Sequence, residues 1–399
     1  MIYLDNAATT QLSPVVLETM LPYLKEEYGN AGAIYSLGRR AANAVAKARQ
    51  QVADFVGAKP EQIIFTSSGT EANNLAICGS YHYLESIGKK HIITSPTEHD
   101  SVLKAVNAIC KPLSPNEKKC IKPKFHTSFL PVDKYGHVLV DYLIDKFDNC
   151  DGLGLVTVMC ANNEVGVLND VKRIGQLCRK KHILFHTDCV QAAGSVPLNV
   201  DEVLCDFMSI SSHKIHGPKG VGTLYVRDKK YLHPIINGGS TQEFGLRGGT
   251  ENVAGIVGFG TACELASNEM EANIKMIISY KQLFYKVLKD KLAENNLENI
   301  VQINGLLPSY PGKTMSVTFK NIDAETLVLM MDSKGVYISS GSACSSHESK
   351  PSHVLKAIGM SDDDARNTVR ISFSKFNTMS EVENAAKILA NCVSALTIC

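Results

Sequence analysis

The sequence predicts an α/β protein: a large, mostly parallel sheet covered by helices, followed by a smaller α+β unit. Short apolar runs rich in β-branched residues recur at 62–66, 91–95, 153–160, 183–187, 207–211 and 222–226. Segments with helical spacing lie between them, at 36–56, 71–86, 101–110 and 171–181. After about Glu251 the alternation stops and long helical patterns take over. Strands alternating with helices imply parallel neighbours, because parallel strands need a crossover connection and leave both sheet faces to be covered.

The first runs, 62–66 and 91–95, are too short for helices and are bounded by Ser, Gly and Pro, as buried strands are. Residues 111–126 hold three prolines and five lysines without periodicity and read as a surface loop. The four runs from 153 to 226 complete the sheet. Residues 253–294 read as long helix with one break, and 314–318 as a strand. The rest reads as a helix at 325–333, a Ser/Gly loop, a strand at 368–373 and a final helix at 380–395. This divides the chain into a large unit, 14–252, and a small unit built from 1–13 and 253–399. There is no internal repeat and no low-complexity tract.

Across 399 residues, 41 Lys and Arg oppose 40 Asp and Glu, a formal net charge of +1. That balance gives no electrostatic reason to bind nucleic acid or an anionic membrane directly. No apolar run reaches the roughly 18 to 20 residues that span a bilayer, and the N-terminal stretch lacks the basic and apolar regions of an export signal. The twelve cysteines form no Cys-x-x-Cys pair and no regular framework, which argues against zinc ribbons, redox dithiols and disulfide staples. Reduced thiols in a cytoplasmic protein are the expectation, and no resident metal.

Three segments carry chemistry. Ser67-Ser68-Gly69-Thr70-Glu71 joins a strand to a helix, where small residues let backbone N–H groups face a phosphate and the helix dipole favours its charge; alone it is equally an ordinary N-cap. Asp188 follows the run 183–187, at the strand end where α/β folds bind ligands. A carboxylate buried there needs a cation such as a protonated pyridine nitrogen, unless it merely caps a helix. Lys214, in Ser211-Ser212-His213-Lys214, ends the run 207–211 among hydroxyls and imidazole. Such a setting lowers an amine's pKa and makes it a Schiff-base nucleophile. Cradle, carboxylate and lysine are the three parts that pyridoxal 5'-phosphate requires.

From Tyr3-Leu4-Asp5-Asn6-Ala7-Ala8-Thr9-Thr10 to Arg370-Ile371-Ser372, the chain resembles the cysteine desulfurases of the NifS/IscS type. These lie in the class-V aminotransferase family of fold-type I, aspartate-aminotransferase-like pyridoxal-phosphate enzymes. Further motifs carrying the resemblance are Thr97-Glu98-His99, Asn162-Asn163-Glu164-Val165-Gly166, Arg247-Gly248-Gly249-Thr250-Glu251-Asn252 and Ser339-Ser340-Gly341-Ser342-Ala343-Cys344. The resemblance implies a role for each matching residue. Gly69 and Thr70 would hold the phosphate with Ser211 and His213, and Thr250 would be lent by the other subunit of a homodimer. His99 would stack on the cofactor ring and move protons. Asn163 and Gln191 would meet the ring oxygen, Asp188 the pyridinium, and Lys214 would be the Schiff-base lysine. Arg370 would clamp the substrate carboxylate, with Asn163 and Asn30 also contacting substrate.

Cys344 sits in a polar Ser/Gly-rich stretch, and the resemblance implies that it takes sulfur from L-cysteine as a persulfide, releasing L-alanine. It would then deliver that sulfur to acceptor proteins, for iron–sulfur assembly, tRNA thiolation or another thio-cofactor pathway, and be at most a transient ligand to a cluster iron. His347 is a candidate for assisting its deprotonation. A selenocysteine lyase or related C–S lyase is the alternative, since it would use the same cofactor machinery. An aminotransferase would leave Cys344 without a role, and a non-catalytic scaffold would not need Lys214, Asp188 and Arg370. The chain departs from the family pattern at Gly29-Asn30-Ala31-Gly32-Ala33-Ile34-Tyr35, at Phe244, at Ser374 and in the 111–126 loop, where substrate and partner preference would be altered.

Overall fold

The computed structural model describes residues 1–110, 125–305, 311–341 and 351–397. Its strands are β1 (Ile2–Tyr3), β2 (Ile63–Thr66), β3 (His91–Thr94), β4 (His126–Phe129), β5 (Leu153–Thr157), β6 (Leu184–Asp188), β7 (Phe207–Ser211), β8 (Gly222–Val226), β9 (Val301–Asn304), β10 (Thr314–Phe319), β11 (Val336–Tyr337), β12 (Ser339–Ser340) and β13 (Thr368–Ser372). Seven of them form one sheet in the order β2-β8-β7-β6-β5-β3-β4, and all run the same way except β8, which is antiparallel to both its neighbours. The expected mostly parallel sheet is therefore present. A four-stranded antiparallel sheet, β12-β13-β10-β9, and the parallel pair β1-β11 make up the rest.

The continuous apolar runs follow from burial on both faces. Ile63, Phe65, Ile93, Val156, Phe185 and Met208 face one apolar cluster, and their neighbours Ile64, Ile92, Leu155, Leu184 and Phe207 face another. The helices are α1 (Pro14–Lys25), α2 (Ser36–Val56), α3 (Gly69–Gly79), α4 (Tyr81–Ser86), α5 (Asp100–Cys110), α6 (Asp141–Asn149), α7 (Val171–Lys180), α8 (Val200–Val203), α9 (Val253–Ala293), α10 (Ala324–Ser333), α11 (His353–Ala357), α12 (Asp362–Arg366) and α13 (Met379–Thr397). Helices α2, α7 and the first part of α9 cover the first face, through Val52, Ile174 and Phe259; α3 and α5 cover the second, through Leu75 and Val102. A separate cluster around Phe284, Val317, Leu327, Ile371 and Leu389 joins the end of α9 to the antiparallel sheet and α13.

Several expected boundaries move. Helix α9 has no break: its early glycines are sites of close packing, where a Cβ on Gly258 would lie 2.6 Å from Met20 Sδ and one on Gly260 2.8 Å from Ala48 Cα. The segment 71–86 divides at Ser80 into α3 and α4. Strand β5 ends at Thr157, three residues early, while Val158 N and Cys160 N still donate to His186 O and Asp188 O of β6 at 3.2 and 2.9 Å. The loop expected through 126 ends sooner, because the polar edge strand β4 starts at His126. Strand β9, Val-Gln-Ile-Asn on the edge of the antiparallel sheet, carries no apolar run and is absent from the sequence reading. Among the described residues, no helix is long and apolar enough to cross a membrane.

Candidate active site

At the carboxyl edge of the large sheet, β2 runs directly into α3. Ser68 caps the helix, its Oγ accepting from Glu71 N at 3.2 Å. A Cβ on Gly69 would stand 2.7 Å from Val190 Cγ2, so the close approach of the two segments requires glycine here. Glu71 accepts from Ser67 N and Oγ (2.8 and 2.5 Å) and from Arg247 Nε (2.9 Å), which helps hold its carboxyl below the usual range. Ser211, at the end of β7, brings a buried hydroxyl without a partner.

Asp188, the last residue of β6, is buried and doubly held: Val190 N donates to Oδ1 at 2.9 Å and Asn73 Nδ2 to Oδ2 at 2.7 Å. Asn73 lies on α3 and also donates to Ser101 Oγ at 2.9 Å. Ser101 N in turn donates to His99 Nδ1 at 3.1 Å, which leaves the proton of the neutral ring on Nε2. Glu98 is completely buried; burial first, then the charge of Asp188, pushes its carboxyl well above the usual range. Its Oε1 accepts from Met159 N at 2.8 Å. Asn73, Glu98 and Ser101 were assigned no role from sequence, although all three flank residues that were.

Lys214 ends a 3₁₀ turn, Ser212–Lys214, after β7. Its Nζ donates to Ala7 O at 2.5 Å and Ala8 O at 2.7 Å, and Gln191 Nε2 donates to Ala7 O at 2.9 Å. Lys313 reaches the same turn from the other sheet: its buried Nζ donates to Lys214 O at 3.0 Å. Burial first, then the charges of Lys214 and Arg370, brings Lys313 down to about 7. His213 Nδ1 meets Thr9 Oγ1 at 3.1 Å, and burial followed by the lysines Lys214, Lys313 and Lys219 brings its ring down to about 4, so it is neutral. Arg370, on β13 and 3% exposed, donates from Nη2 to Asp5 Oδ1 at 2.9 Å and from Nη1 to Asn163 O at 3.1 Å.

These segments enclose a cavity of about 330 Å³ lined by Gly69, Thr70, His99, Asn163, Asp188, Gln191, Ser211, His213, Lys214 and Arg370, together with Asn73 and Ser101. Ten residues expected at the site are thus brought together. Two are not. Asn30 lies exposed in a turn outside this cavity wall, its Oδ1 accepting from Gly32 N at 2.8 Å. Thr250 is exposed in a separate cleft of about 100 Å³ beside Ser67 and Arg247. Cys344 and His347 lie outside the described residues. The chain enters their segment from β12, whose Ser339 pairs with Arg370, and leaves it at Ser352, which donates to Glu164 Oε2 at 2.5 Å.

The wall suits pyridoxal phosphate. Asn73 Oδ1, Asn163 Oδ1, Gln191 Oε1, Ser211 Oγ and Arg370 Nε are buried without partners, all on residues that line the cavity. A helix N-terminus, a held carboxylate and a lysine face the same space. Among the described residues, no group of His, Cys, Asp and Glu is arranged to hold a metal.

Comparison with known proteins agrees with this geometry. The family model for aminotransferase class-V matches residues 2–385. The cysteine desulfurase IscS of Dictyoglomus turgidum is 40% identical over 395 residues, covering 99% of this chain and 95% of that protein. A solved NifS-like protein superposes with a TM-score of 0.84 at 34% identity, covering 99% of each chain. The structure of SspA in complex with cysteine gives 0.74 at 32% identity, covering 95% of this chain and 100% of that one. The chain belongs to the class-V aminotransferase family, and within it to the cysteine desulfurases of the NifS/IscS type.

Proposed function

We propose that this enzyme converts L-cysteine to L-alanine and passes the sulfur through a Cys344 persulfide to an acceptor protein. The observation that carries the reading is the convergence of Lys214, Asp188 and Arg370 on one cavity. The SspA complex, a similar structure holding cysteine, supports the substrate.

Bound pyridoxal phosphate supplies an aldehyde that takes up an amino group and a ring that accepts the electrons released at the substrate's Cα. The N-terminus of α3, with Thr70 and Ser211, holds its phosphate. Asp188, fixed by Asn73, keeps a proton on the pyridine nitrogen. Lys214 would hold the cofactor through its amine and, as a free amine, would move the Cα proton. His99 would stack on the ring and offer Nε2–H to it. Asn163 and Gln191 face the ring oxygen, and Arg370 pairs with the substrate carboxylate.

The Cys344 thiolate forms a bond to the substrate sulfur as the Cβ–S bond breaks, and the electron pair stays with the three-carbon fragment. One thiol and one L-cysteine thus become one persulfide and one L-alanine, with no outside oxidant. Thr250 completes the phosphate site of a second copy in a homodimer, consistent with its position outside its own chain's cavity. The acceptor, an iron–sulfur scaffold or another thio-cofactor protein, docks to this dimer in the cytoplasm. The division into 14–252 and 1–13 plus 253–399 is supported by the sheets: the seven-stranded sheet lies within the first part and the four-stranded sheet and the β1-β11 pair within the second, while the first part of α9 packs back on the large sheet. Comparing alanine release from L-cysteine and L-selenocysteine tests the reading. Cys344→Ser is expected to abolish release from the first; release from selenocysteine alone would make the enzyme a selenocysteine lyase instead.

A further inference from the structure

We propose that Asp5 is a positioning residue for the substrate carboxylate, aiming Arg370 and fixing its distance from Lys214. This rests on the reading of Arg370 as the clamp. A guanidinium does not lose its charge, so one that is 3% exposed needs an anion to hold it. Among the described residues, Asp5 is the carboxylate it pairs with, at 2.9 Å. The second terminal nitrogen is taken by Asn163 O at 3.1 Å, whereas Nε is buried with no acceptor at all. With both terminal nitrogens anchored, the planar fork is fixed while Nε–H and the remaining hydrogens stay available to a bidentate carboxylate.

The segment around Asp5 joins the clamp to the lysine. Asp5 bridges to Ser372, two residues along β13 from Arg370. Asn6 Nδ2 donates to Ser372 O at 2.9 Å and Ala7 N to Ser372 Oγ at 2.8 Å. The next carbonyls, of Ala7 and Ala8, accept from Lys214 Nζ. Two to three residues of one backbone therefore separate the group that orients the clamp from the groups that hold the reactive amine. A loss at Asp5 releases the fork while leaving the lysine's acceptors in place.

The experiment titrates the holoenzyme with L-cysteine and with cysteamine, which shares the amine and thiol but lacks the carboxylate, following the absorbance of the bound cofactor. Asp5→Ala is expected to weaken L-cysteine about tenfold and leave cysteamine within about twofold, with KM rising more than kcat falls. Asp5→Asn keeps an acceptor oxygen but not the charge, and is expected to cost L-cysteine only about threefold. If Asp5→Ala does not fold, that selective loss in Asp5→Asn decides. Equal weakening of both ligands, or of neither, overturns the proposal. Arg370→Lys is measured alongside: if it too fails to separate the ligands, the clamp reading itself is wrong, and if it separates them while the Asp5 variants do not, only the role of Asp5 falls.

Discussion

Asn73 Nδ2 lies 2.7 Å from Asp188 Oδ2, so the helix whose N-terminus is proposed to hold a phosphate also grips the buried carboxylate on the wall of the same cavity. Asn73 lies four residues along α3 from Gly69, so one helix fixes the spacing between the proposed phosphate site and Asp188. Removing the amide from a hydrogen bond to a charged group costs about 1.5 to 3 kcal/mol where it is felt.

Asn73→Ala is therefore expected to weaken pyridoxal phosphate binding by about tenfold or more while the fold is kept. Asn73→Asp is expected to be worse, because it replaces a donated hydrogen bond with a second carboxylate facing the first. Fluorescence titration of the cofactor-free protein checks both, and parent-like affinity in Asn73→Asp would remove the amide from the account.

Lys313 predicts a pH signature. Its amine, down to about 7 when folded and near the usual lysine value when unfolded, binds fewer protons in the native state between those limits. Its burial therefore penalises folding most below about pH 7, and the penalty fades as pH rises toward about 10. The groups facing it are Lys214, His213, His216, Arg370 and Lys375, of which Lys375 is paired with Glu269 at 2.5 Å. Lys313→Met is expected to gain stability over the parent at pH 7 and to lose that advantage by pH 10, measured by urea unfolding at both pH values. An advantage that does not change with pH would contradict this.

The large sheet was legible because its strands are buried on both faces and read as continuous apolar runs, and because Asp188 and Lys214 stand at strand ends. Strands β4 and β9 were not legible: His-Thr-Ser-Phe and Val-Gln-Ile-Asn are edge segments whose identity comes from pairing and not from burial. The expected break in 253–294 does not occur, and the glycines early in α9 serve close packing instead. At the site, Asn73 and Glu98 lay in plain view next to recognised motifs. Their roles depend on contacts 115 and 61 residues away, which local spacing does not carry. Asn30 came from the resemblance alone, in a stretch where the chain had already left the family's pattern.

The central claim is that sulfur leaves L-cysteine onto Cys344. Mass spectrometry of the holoenzyme after L-cysteine, without reductant or acceptor, tests it most directly. One added sulfur on the Cys344 peptide is expected for each alanine released, with Cys344→Ser keeping the cofactor absorbance and releasing no alanine. Alanine released at the parent rate by Cys344→Ser, or without added sulfur on Cys344, would contradict the account.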